Sequence, residues 1–376
     1  MRRFFTLVSI LALAAAAPAA AYQESGPVVH VADGDTFDVD LGTTERIRLL
    51  GVNANEIGEC HAATATARLT QLIDGKTVTL EADDPNVQLR GRLARWVSTG
   101  STDVGEILLR EGLALLFPHP TETARLDDYR AAAAVGRASG QGLWNSDACG
   151  IGPSQNADIS VNLRWDAEGN DQTNINGEWI DIVNRSNSAL SLNGWQVRDS
   201  ALSFYEFPPA ASVPSNGYLR VHIGEGSDTP TKLYWGLSDP LFDNSVGDGA
   251  FLLDPDGDIR ASFEYPCAGS CTDPRGVDLS MEVNYDAPGD DQVNPNGEWV
   301  KIKNTGGAAI DLFGLAVVTY PYAYHFELGD SLGAEQVLTI YVGQGSDSTL
   351  TRYWGKSSGI LDNGGDRIGV ERSDGV

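Results

Sequence analysis

The second half of the chain repeats itself, and this repeat constrains the fold more than any other feature of the sequence. Matching residues recur 120 positions apart, namely Asp166 and Asp286, Asp171 and Asp291, Asn176-Gly177-Glu178-Trp179 and Asn296-Gly297-Glu298-Trp299, and Asn184 and Asn304. Farther along the spacing is 119, as between Tyr234-Trp235-Gly236 and Tyr353-Trp354-Gly355. A period of this length predicts two domains of the same kind, one after the other.

Each copy consists of short alternating runs, such as 179–183 and 218–223, with Gly, Pro and Asn between them. No segment has a helical period, so the pattern predicts a β-sandwich in each copy. The first copy continues through 259–265, whereas the second stops at 374–376, before the equivalent strand. Either the last sandwich lacks its last strand or this chain is a shortened form.

The N-terminal part has a different pattern, in which strands and helices alternate. Strand-like runs occupy 28–31, 36–39, 46–50, 78–81 and 93–97, and helix-like runs occupy 62–73, 104–113 and 122–137. This order predicts a small barrel with helices packed on it. Residues 151–158 are polar, which predicts a linker to the repeats.

The first residues have the composition of an export signal. Arg2 and Arg3 precede an apolar run from Phe4 to Ala17, and Pro18 and Ala19-Ala20-Ala21 follow. This pattern predicts a signal peptide, residues 1–21, cleaved after Ala21. The alternative is a membrane anchor, for which the run is too short. No later run reaches ~18 apolar residues, so we expect no membrane span and a secreted, extracellular protein.

Export permits disulfides, and four cysteines allow three pairings. Cys267 and Cys271 are four positions apart and can close a small loop, which leaves Cys60 with Cys149. Four free thiols are the alternative.

The charge balance limits the partners of the chain. Lys and Arg number 26 against 52 Asp and Glu, which gives a net charge of −26. A protein that coats nucleic acid by bulk electrostatics should be basic, so such a role is disfavoured. Residues after position 153 hold 13 of the basic and 33 of the acidic side chains, so most of the acid lies in the repeats.

Chemistry-bearing residues cluster in the barrel. Asp33-Gly34-Asp35-Thr36 places two carboxylates beside a tight turn, and the alternation in Arg46-Ile47-Arg48 puts both guanidinium groups on one side of a strand. Asn53-Ala54-Asn55-Glu56 and Arg90-Gly91-Arg92 follow in loops. Oxygen ligands suit Ca²⁺, Arg forks suit phosphate, and a Glu can activate water. The alternative is that the aspartates are turn residues and the arginines solvated strand faces.

Residues 28–147 resemble the staphylococcal (thermo)nuclease family. The resemblance is carried by Val31-Ala32-Asp33-Gly34-Asp35-Thr36, Arg48 to Glu56, Arg90-Gly91-Arg92, Glu106 to Ala114, and Gly142-Leu143-Trp144. It implies that residues 26–150 form an OB-fold β-barrel with three helices. It also implies an exported, calcium-dependent endonuclease that acts on DNA and RNA.

Carried over position by position, the resemblance implies roles for individual residues. Asp35 is then a carboxylate ligand of Ca²⁺, Asn53 stands where the family usually has a second Asp ligand, and Ala54 supplies a backbone carbonyl where Thr is usual. Arg48 and Arg92 hold the scissile phosphate, and Glu56 is the general base for the attacking water.

Two further residues have open roles. Arg90 replaces a Tyr common in the family, and it either adds a phosphate contact or stays solvated. Phe117 lies where the family often has a base-stacking tyrosine, and it either stacks on a base or belongs to the core.

The sequence departs from the family pattern at positions that affect metal binding. Asn53 is neutral, and an amide oxygen binds Ca²⁺ more weakly than a carboxylate does. Asn55 replaces a Pro, which leaves the loop carrying Glu56 less stiff. Arg48, Glu56 and Arg92 are all present, so we expect an active enzyme, and its metal affinity is the open point.

Residues 159–266 and 279–376 resemble lamin-tail domains, on Asn176 to Asn184, Leu192-Asn193-Gly194-Trp195 and Val221 to Asp228 and their matches in the second copy. The resemblance implies Ig-like sandwiches without a catalytic residue. The expected fold is therefore multidomain, an α+β OB-fold barrel followed by two all-β sandwiches. Asp166, Asp171, Asp286, Asp290 and Asp291 lie in Gly- and Asn-rich loops, where they either bind Ca²⁺ or are solvated.

Together these features predict a secreted, calcium-dependent phosphodiesterase whose tails are accessory binding domains. The alternative is a weak or inactive nuclease barrel that acts in adhesion, binding a surface or polymer through its tails. The presence of Arg48, Glu56 and Arg92 favours the enzyme. We expect nucleic acid as the partner of the barrel, an unidentified surface or polymer ligand for the tails, and a monomer.

Overall fold

The structure, a computed structural model, describes residues 22–154, 156–267, 278–365 and 367–372. The predicted signal peptide, residues 1–21, lies outside the described residues. In the part that is described, no helix is long and apolar enough to cross a membrane.

The first domain contains strands that pair into a closed barrel. The strands of the domain are β1 (Tyr22–Val31), β2 (Thr36–Asp40), β3 (Thr44–Leu49), β4 (Gly51–Asn53), β5 (Thr77–Ala82), β6 (Gln88–Leu89), β7 (Arg92–Thr99), β8 (Thr102–Asp103) and β9 (Leu115–Phe117). Strands β4 and β9 pair with each other in a separate two-stranded sheet. The sheet runs in the order β3-β2-β1-β5-β7-β6, and β3 also pairs with β7 in parallel. Because β3 has a partner on each side, the sheet closes on itself as an OB-type barrel does.

Three helices, α1 (Ala62–Ile73), α2 (Val104–Arg110) and α3 (Leu126–Ser139), pack on this barrel. The first matches its predicted bounds, and its apolar face, which includes Ala65 and Leu69, joins the barrel core. The predicted fold, a barrel with three helices followed by two sandwiches, is confirmed.

The third helix begins later than the sequence predicted. Glu122 is buried, and its carboxylate accepts the backbone N–H groups of Asp83 at 2.6 Å and Asp84 at 2.9 Å. In return, the Asp83 carboxylate accepts the N–H of Thr123 at 3.1 Å. These bonds hold residues 122–125 to the neighbouring loop, so the helix begins only at Leu126.

The second domain is a sandwich of two main sheets. Its strands are β10 (Ile159–Arg164), β11 (Trp179–Asn184), β12 (Leu190–Ser191), β13 (Gln196–Asp199), β14 (Phe204–Glu206), β15 (Ser212–Val213), β16 (Gly217–His222), β17 (Lys232–Tyr234), β18 (Asp248–Leu253) and β19 (Ile259–Tyr265). One sheet runs β10-β11-β16-β17 and the other β14-β13-β18-β19. Their facing side chains, with Trp195 and Phe207 among them, form the core.

The third domain repeats this architecture. Its strands are β20 (Leu279–Asn284), β21 (Trp299–Asn304), β22 (Ile310–Asp311), β23 (Leu315–Thr319), β24 (Tyr322–His325), β25 (Ser331–Leu332), β26 (Val337–Tyr341), β27 (Thr351–Tyr353) and β28 (Gly369–Arg372). One sheet runs β20-β21-β26-β27 and the other β24-β23-β28. Within the described residues, which end at Arg372, no strand equivalent to β19 follows β28.

The repeated polar residues of the two sandwiches hold loops in place. The buried carboxylate of Glu178 accepts the N–H of Leu241 at 2.8 Å, and Glu298 accepts that of Leu361 at 3.0 Å. Asp171 and Asp291 each accept a backbone N–H four residues earlier, at 3.1 Å in both copies. These hydrogen bonds give the repeated Asp and Glu residues a structural role in both copies.

The structure joins Cys60 to Cys149, with their Cα atoms 5.8 Å apart. The bond ties the start of α1 to the end of the first domain, as the predicted pairing requires. Cys267 takes part in a disulfide, whereas Cys271 lies outside the described residues.

Candidate active site

The turn between β1 and β2 positions the first acidic residue. The N–H of Asp35 donates to Asp33 Oδ1 at 3.0 Å, which closes a tight turn around Gly34. A Cβ at Gly34 would lie 2.7 Å from the Cβ atoms of both Ala54 and Ala65. Only glycine therefore lets this turn pack between the loop after β4 and helix α1, and the turn directs the Asp35 carboxylate into the barrel.

Arg48 forms a buried network with the predicted metal ligands. Its side chain is 5% exposed, and its Nη2 lies 2.9 Å from Asp35 Oδ2 and 2.5 Å from Asn53 Oδ1. Its Nη1 donates to the carbonyls of Leu49 at 2.8 Å and Val52 at 2.7 Å. The structure thus brings Asp35, Arg48 and Asn53 together at one point.

The electrostatics of this network are dominated by burial. Burial raises the pKa of Asp35 to about 6, although the adjacent Arg48 opposes the rise. Burial also lowers the pKa of Arg48, and the positive charges of Arg92 and Arg90 lower it further, whereas the negative charge of Asp35 raises it. Three guanidinium groups therefore share one region around a single buried carboxylate.

Arg92 reaches the same network from β7. Its Nη1 donates to Thr36 Oγ1 at 3.1 Å, and that hydroxyl donates to Asp35 Oδ1 at 2.9 Å. Arg46 behaves differently, because it pairs with Asp38 at the surface at 2.8 Å. The two strand arginines do share a side of β3, but only Arg48 turns into the site.

Glu56 and Arg90 form an exposed rim beside the buried network. Their side chains are 59% and 61% exposed, and Arg90 Nη1 lies 3.5 Å from Glu56 Oε1. The loop is fixed by the N–H of Glu56, which donates to Glu59 Oε2 at 2.9 Å. Glu56 is thus open to solvent at a carboxylate oxygen, as a group that accepts a proton from water must be.

Phe117 lies at the end of β9, directly opposite Gly51 of β4. It is half-buried. The same strand pair places Leu115 opposite Asn53. The structure therefore puts Phe117 on the strand that neighbours the metal-ligand position, and base stacking by this ring stays a prediction.

The donors around Arg48 fit a hard cation. Asp35 and Asn53 offer side-chain oxygens, and Ala54, whose N–H donates to Asp35 Oδ2 at 2.8 Å, is held beside them with its backbone carbonyl. A single cationic nitrogen of Arg48 already contacts both side-chain oxygens. The chemistry therefore suits Ca²⁺, which takes carboxylate, amide and carbonyl oxygens.

Only one charged ligand belongs to this set. In the described part of the chain, three His, Cys or acidic residues bring ligand atoms within 4.8 Å of one another at one place, formed by Cys60, His61 and Cys149. The two sulfurs of that group form the disulfide. With one carboxylate and a neighbouring Arg48, the site offers little net negative charge to a cation.

Residues of the first sandwich also reach the site, and the sequence did not predict them. Asn53 Nδ2 donates to the carbonyl of Ser200 at 2.8 Å, and Arg90 Nη2 donates to that of Ala201 at 2.9 Å. Arg198 Nη2 donates to Asn55 Oδ1 at 2.7 Å. These contacts join residues more than a hundred positions apart, which local sequence patterns do not reveal.

An apolar patch continues this contact away from the site. Leu115 and Leu143 of the first domain cluster with Phe251, Leu253 and Ile259 of the sandwich. Because Leu115 pairs with Asn53 across β4 and β9, the patch lies beside the predicted metal-ligand position, on the same face of the strand pair. The sandwich therefore covers the strand pair that carries Asn53.

Comparison with known families agrees with this division of the chain. A family model described as Staphylococcal nuclease homologue matches residues 46–146. A family model described as Lamin Tail Domain matches residues 153–267 and 277–376, together more than half of the chain. No curated protein is significantly similar to the chain.

Proposed function

We propose that this chain, which belongs to the lamin tail domain family and carries a staphylococcal nuclease homologue domain ahead of two such tails, is a secreted, calcium-dependent endonuclease of DNA and RNA. The observation that carries the proposal is the convergence of Asp35, Arg48 and Asn53 in one network, with Arg92 joined to it through Thr36. Phosphodiester hydrolysis needs this combination of phosphate-binding cations and oxygen ligands.

Each site residue then has a task. Glu56, exposed at the rim, accepts the proton of the attacking water. Arg48 and Arg92 hold the phosphate and stabilise the charge that builds on its oxygens. Since Asn53 Oδ1 now occupies Arg48 Nη2, phosphate binding requires Arg48 to exchange that partner for a phosphate oxygen.

Asp35, Asn53 and the carbonyl of Ala54 would hold the cation. When bound there, Ca²⁺ would supply positive charge that offsets the negative charge of the phosphate. Arg90 and Phe117 lie at the edge of the site, where they contact the flanking nucleotides. Export follows from the pattern of residues 1–21, and the tails act as accessory binding domains.

Digestion of nucleic acid by the full chain tests the proposal. Duplex DNA and single-stranded RNA are incubated with millimolar Ca²⁺ and, in parallel, with excess EDTA. We expect both substrates to be cut only with Ca²⁺. A folded preparation that cuts neither substrate would contradict the proposal.

A matched pair of variants tests the assignment of the base. Glu56→Gln removes the proton acceptor and should lower the cleavage rate by about 10²- to 10⁴-fold. Asp128→Asn makes the same isosteric change at an exposed position of α3 and should leave the rate unchanged. Equal rates for the two variants would mean that Glu56 is not the base.

A second candidate function is that of a binding protein with a weak or inactive barrel. The neutral Asn53 and the fully engaged Arg48 favour it, because both reduce the capacity of the site for a cation. Binding of a polymer by the tails without cleavage at saturating Ca²⁺ would support this function over the enzyme.

A further inference from the structure

We propose that the tip of the β13–β14 hairpin, residues 198–203 of the first lamin tail, caps the candidate active site and that cleavage requires this hairpin to leave. The tail's partner is then the nuclease domain of its own chain. The inference rests on the proposed nuclease function, because it concerns access to the same site.

The cap contacts the site at three separate points. The carbonyl of Ser200 accepts from Asn53, the carbonyl of Ala201 accepts from Arg90, and Arg198 donates to Asn55. Arg90 uses its other nitrogen for Glu56. While the hairpin is docked, the amide nitrogen of Asn53 and one contact from each terminal nitrogen of Arg90 are therefore already used, although Arg90 stays exposed.

Three of the residues that bind the cap are positions at which this chain departs from the nuclease pattern, although Ala54, another departure, is not one of the three. Asn53, Asn55 and Arg90 stand where Asp, Pro and Tyr are usual, and all three contact the hairpin. An Asp at position 53 has no N–H to donate to the Ser200 carbonyl, and a Pro at position 55 has no side-chain oxygen for Arg198. The departures thus provide the hydrogen bonds of a docked state.

The second tail offers an internal comparison. Arg198, Asp199 and Ser200 of the first hairpin are 1–2% exposed, whereas Tyr320 in the equivalent β23–β24 turn is 82% exposed. Val318, near the end of β23, takes the place of Arg198, and Thr319, in the place of Asp199, is itself buried. The two hairpins therefore differ at their tips, where Ser200 is buried and Tyr320 is exposed.

The remaining interface supports a stable docked state. Beside the cap, Leu115 packs in the apolar patch with Phe251 and Leu253. On α3, Arg130 Nη2 donates to the carbonyl of Val246 at 2.8 Å, and Arg137 pairs with Glu264. Two arginines of the nuclease domain thus contact a backbone carbonyl and a carboxylate of the tail, which adds polar contacts to the apolar patch.

If the docked state cannot bind substrate, the cleavage rate follows the fraction of open molecules. Arg198→Glu, made in the full chain, places a carboxylate against Glu59 and Asn55 and should release the hairpin. We expect faster amide exchange in residues 52–59 and, in Ca²⁺, an initial cleavage rate raised about tenfold, as for a site that is mostly closed.

Two further variants complete the experiment. Ala201→Arg puts a second cation beside Arg90 at the turn of the hairpin, so it should have the same two effects even if Arg198→Glu disturbs the fold of the tail. Tyr320→Glu changes the exposed turn of the second tail and should alter neither amide exchange nor cleavage rate.

Faster amide exchange with an unchanged or lower cleavage rate would overturn the capping role. The tail would then either have no effect on cleavage or contribute to it. Unchanged exchange in both cap variants would overturn the docking itself. Faster exchange with no cleavage by any chain, the parent included, would support the docking and refute the proposed nuclease function.

Discussion

Arg48 is held by two side-chain oxygens and two backbone carbonyls, and it is the residue on which the site depends most. Its burial leaves no water to replace these partners. A buried ion pair of this kind adds little over an apolar pair, but it is costly to break from one side. Arg48 therefore has a structural role in the absence of substrate as well as a proposed role in binding phosphate.

Replacing Arg48 tests the structural role directly. Arg48→Met leaves the Asp35 carboxylate buried without its ion pair, and we expect a loss of about 3 kcal/mol or more in the free energy of unfolding. The double variant with Asp35→Asn removes the uncompensated charge and should recover part of that loss. Chemical denaturation of the three chains measures it, and a double variant less stable than Arg48→Met would contradict this account.

Asn53→Asp tests the metal-ligand position. A carboxylate there adds a charged ligand for Ca²⁺ and also loses the N–H that binds the Ser200 carbonyl. Both changes favour metal binding, so the Ca²⁺ concentration that gives half-maximal cleavage should fall by about tenfold, the effect of roughly 1.4 kcal/mol. An unchanged midpoint would show that Asn53 is not a ligand.

At the level of elements, the loop that carries Glu56 is fixed at both ends. Strand β4 ends in the Arg48 network at Asn53, and Asn55 Nδ2 donates to the carbonyl of Cys60 at 2.7 Å. Cys60 is joined to Cys149, whose N–H donates to Asp258 of the first tail at 3.0 Å. The disulfide thus holds the end of the loop that carries Glu56 and lies beside the tail.

Removing the disulfide should affect stability and activity together. The double variant Cys60→Ser, Cys149→Ser opens a loop of 89 residues and should lose about 4 kcal/mol of stability on the chain-entropy model. The loop of Glu56 then loses its anchor, so the cleavage rate should also fall. Thermal unfolding and cleavage assays, with reduced parent chain as the comparison, check both effects, and an unchanged melting temperature would contradict the prediction.

Sequence patterns predicted the elements well where the pattern is local. Helix α1 has its predicted bounds because its apolar positions repeat along one face, and the copies of the sandwich follow from the 120-residue repeat. The start of α3 was wrong because Glu122 binds a distant loop. The capping hairpin was missed for the same reason, since its contacts with Asn53 and Asn55 link separate domains.

At the scale of the whole molecule, some of the many acidic side chains are part of the buried interior. Several carboxyl groups are buried in the first sandwich, and burial raises the pKa of Glu178 to about 8 and that of Asp248 to about 7. Both residues lie in the domain that covers the nuclease site. Burial therefore lets these two carboxyl groups keep their protons to a higher pH than exposed carboxyl groups do.

These raised pKa values predict how stability depends on pH. A carboxyl group whose pKa is raised on folding keeps its proton in the folded state at pH values where the unfolded chain has lost it. The stability that this retained proton adds to the folded state is complete below the unfolded pKa, which is near 4.5 for Glu178. It is lost as the pH rises to about 8. The melting temperature should therefore be lower at pH 8.5 than at pH 5.5. Folding lowers the pKa of other carboxyl groups, such as Asp38 and Asp243. Their effect on stability therefore appears only at pH values below this range.

Glu178→Gln identifies the residue responsible for much of this dependence. The neutral amide needs no proton and can still accept the N–H of Leu241, so the variant should melt higher than the parent at pH 8.5 and close to it at pH 5.5. Glu225→Gln, at an exposed position of the same domain, should leave the pH profile unchanged. A parent chain that melts higher at pH 8.5 than at pH 5.5 would contradict the burial of protonated carboxyl groups. Parallel profiles for the parent and Glu178→Gln would show instead that other carboxyl groups, such as Asp248, carry the effect.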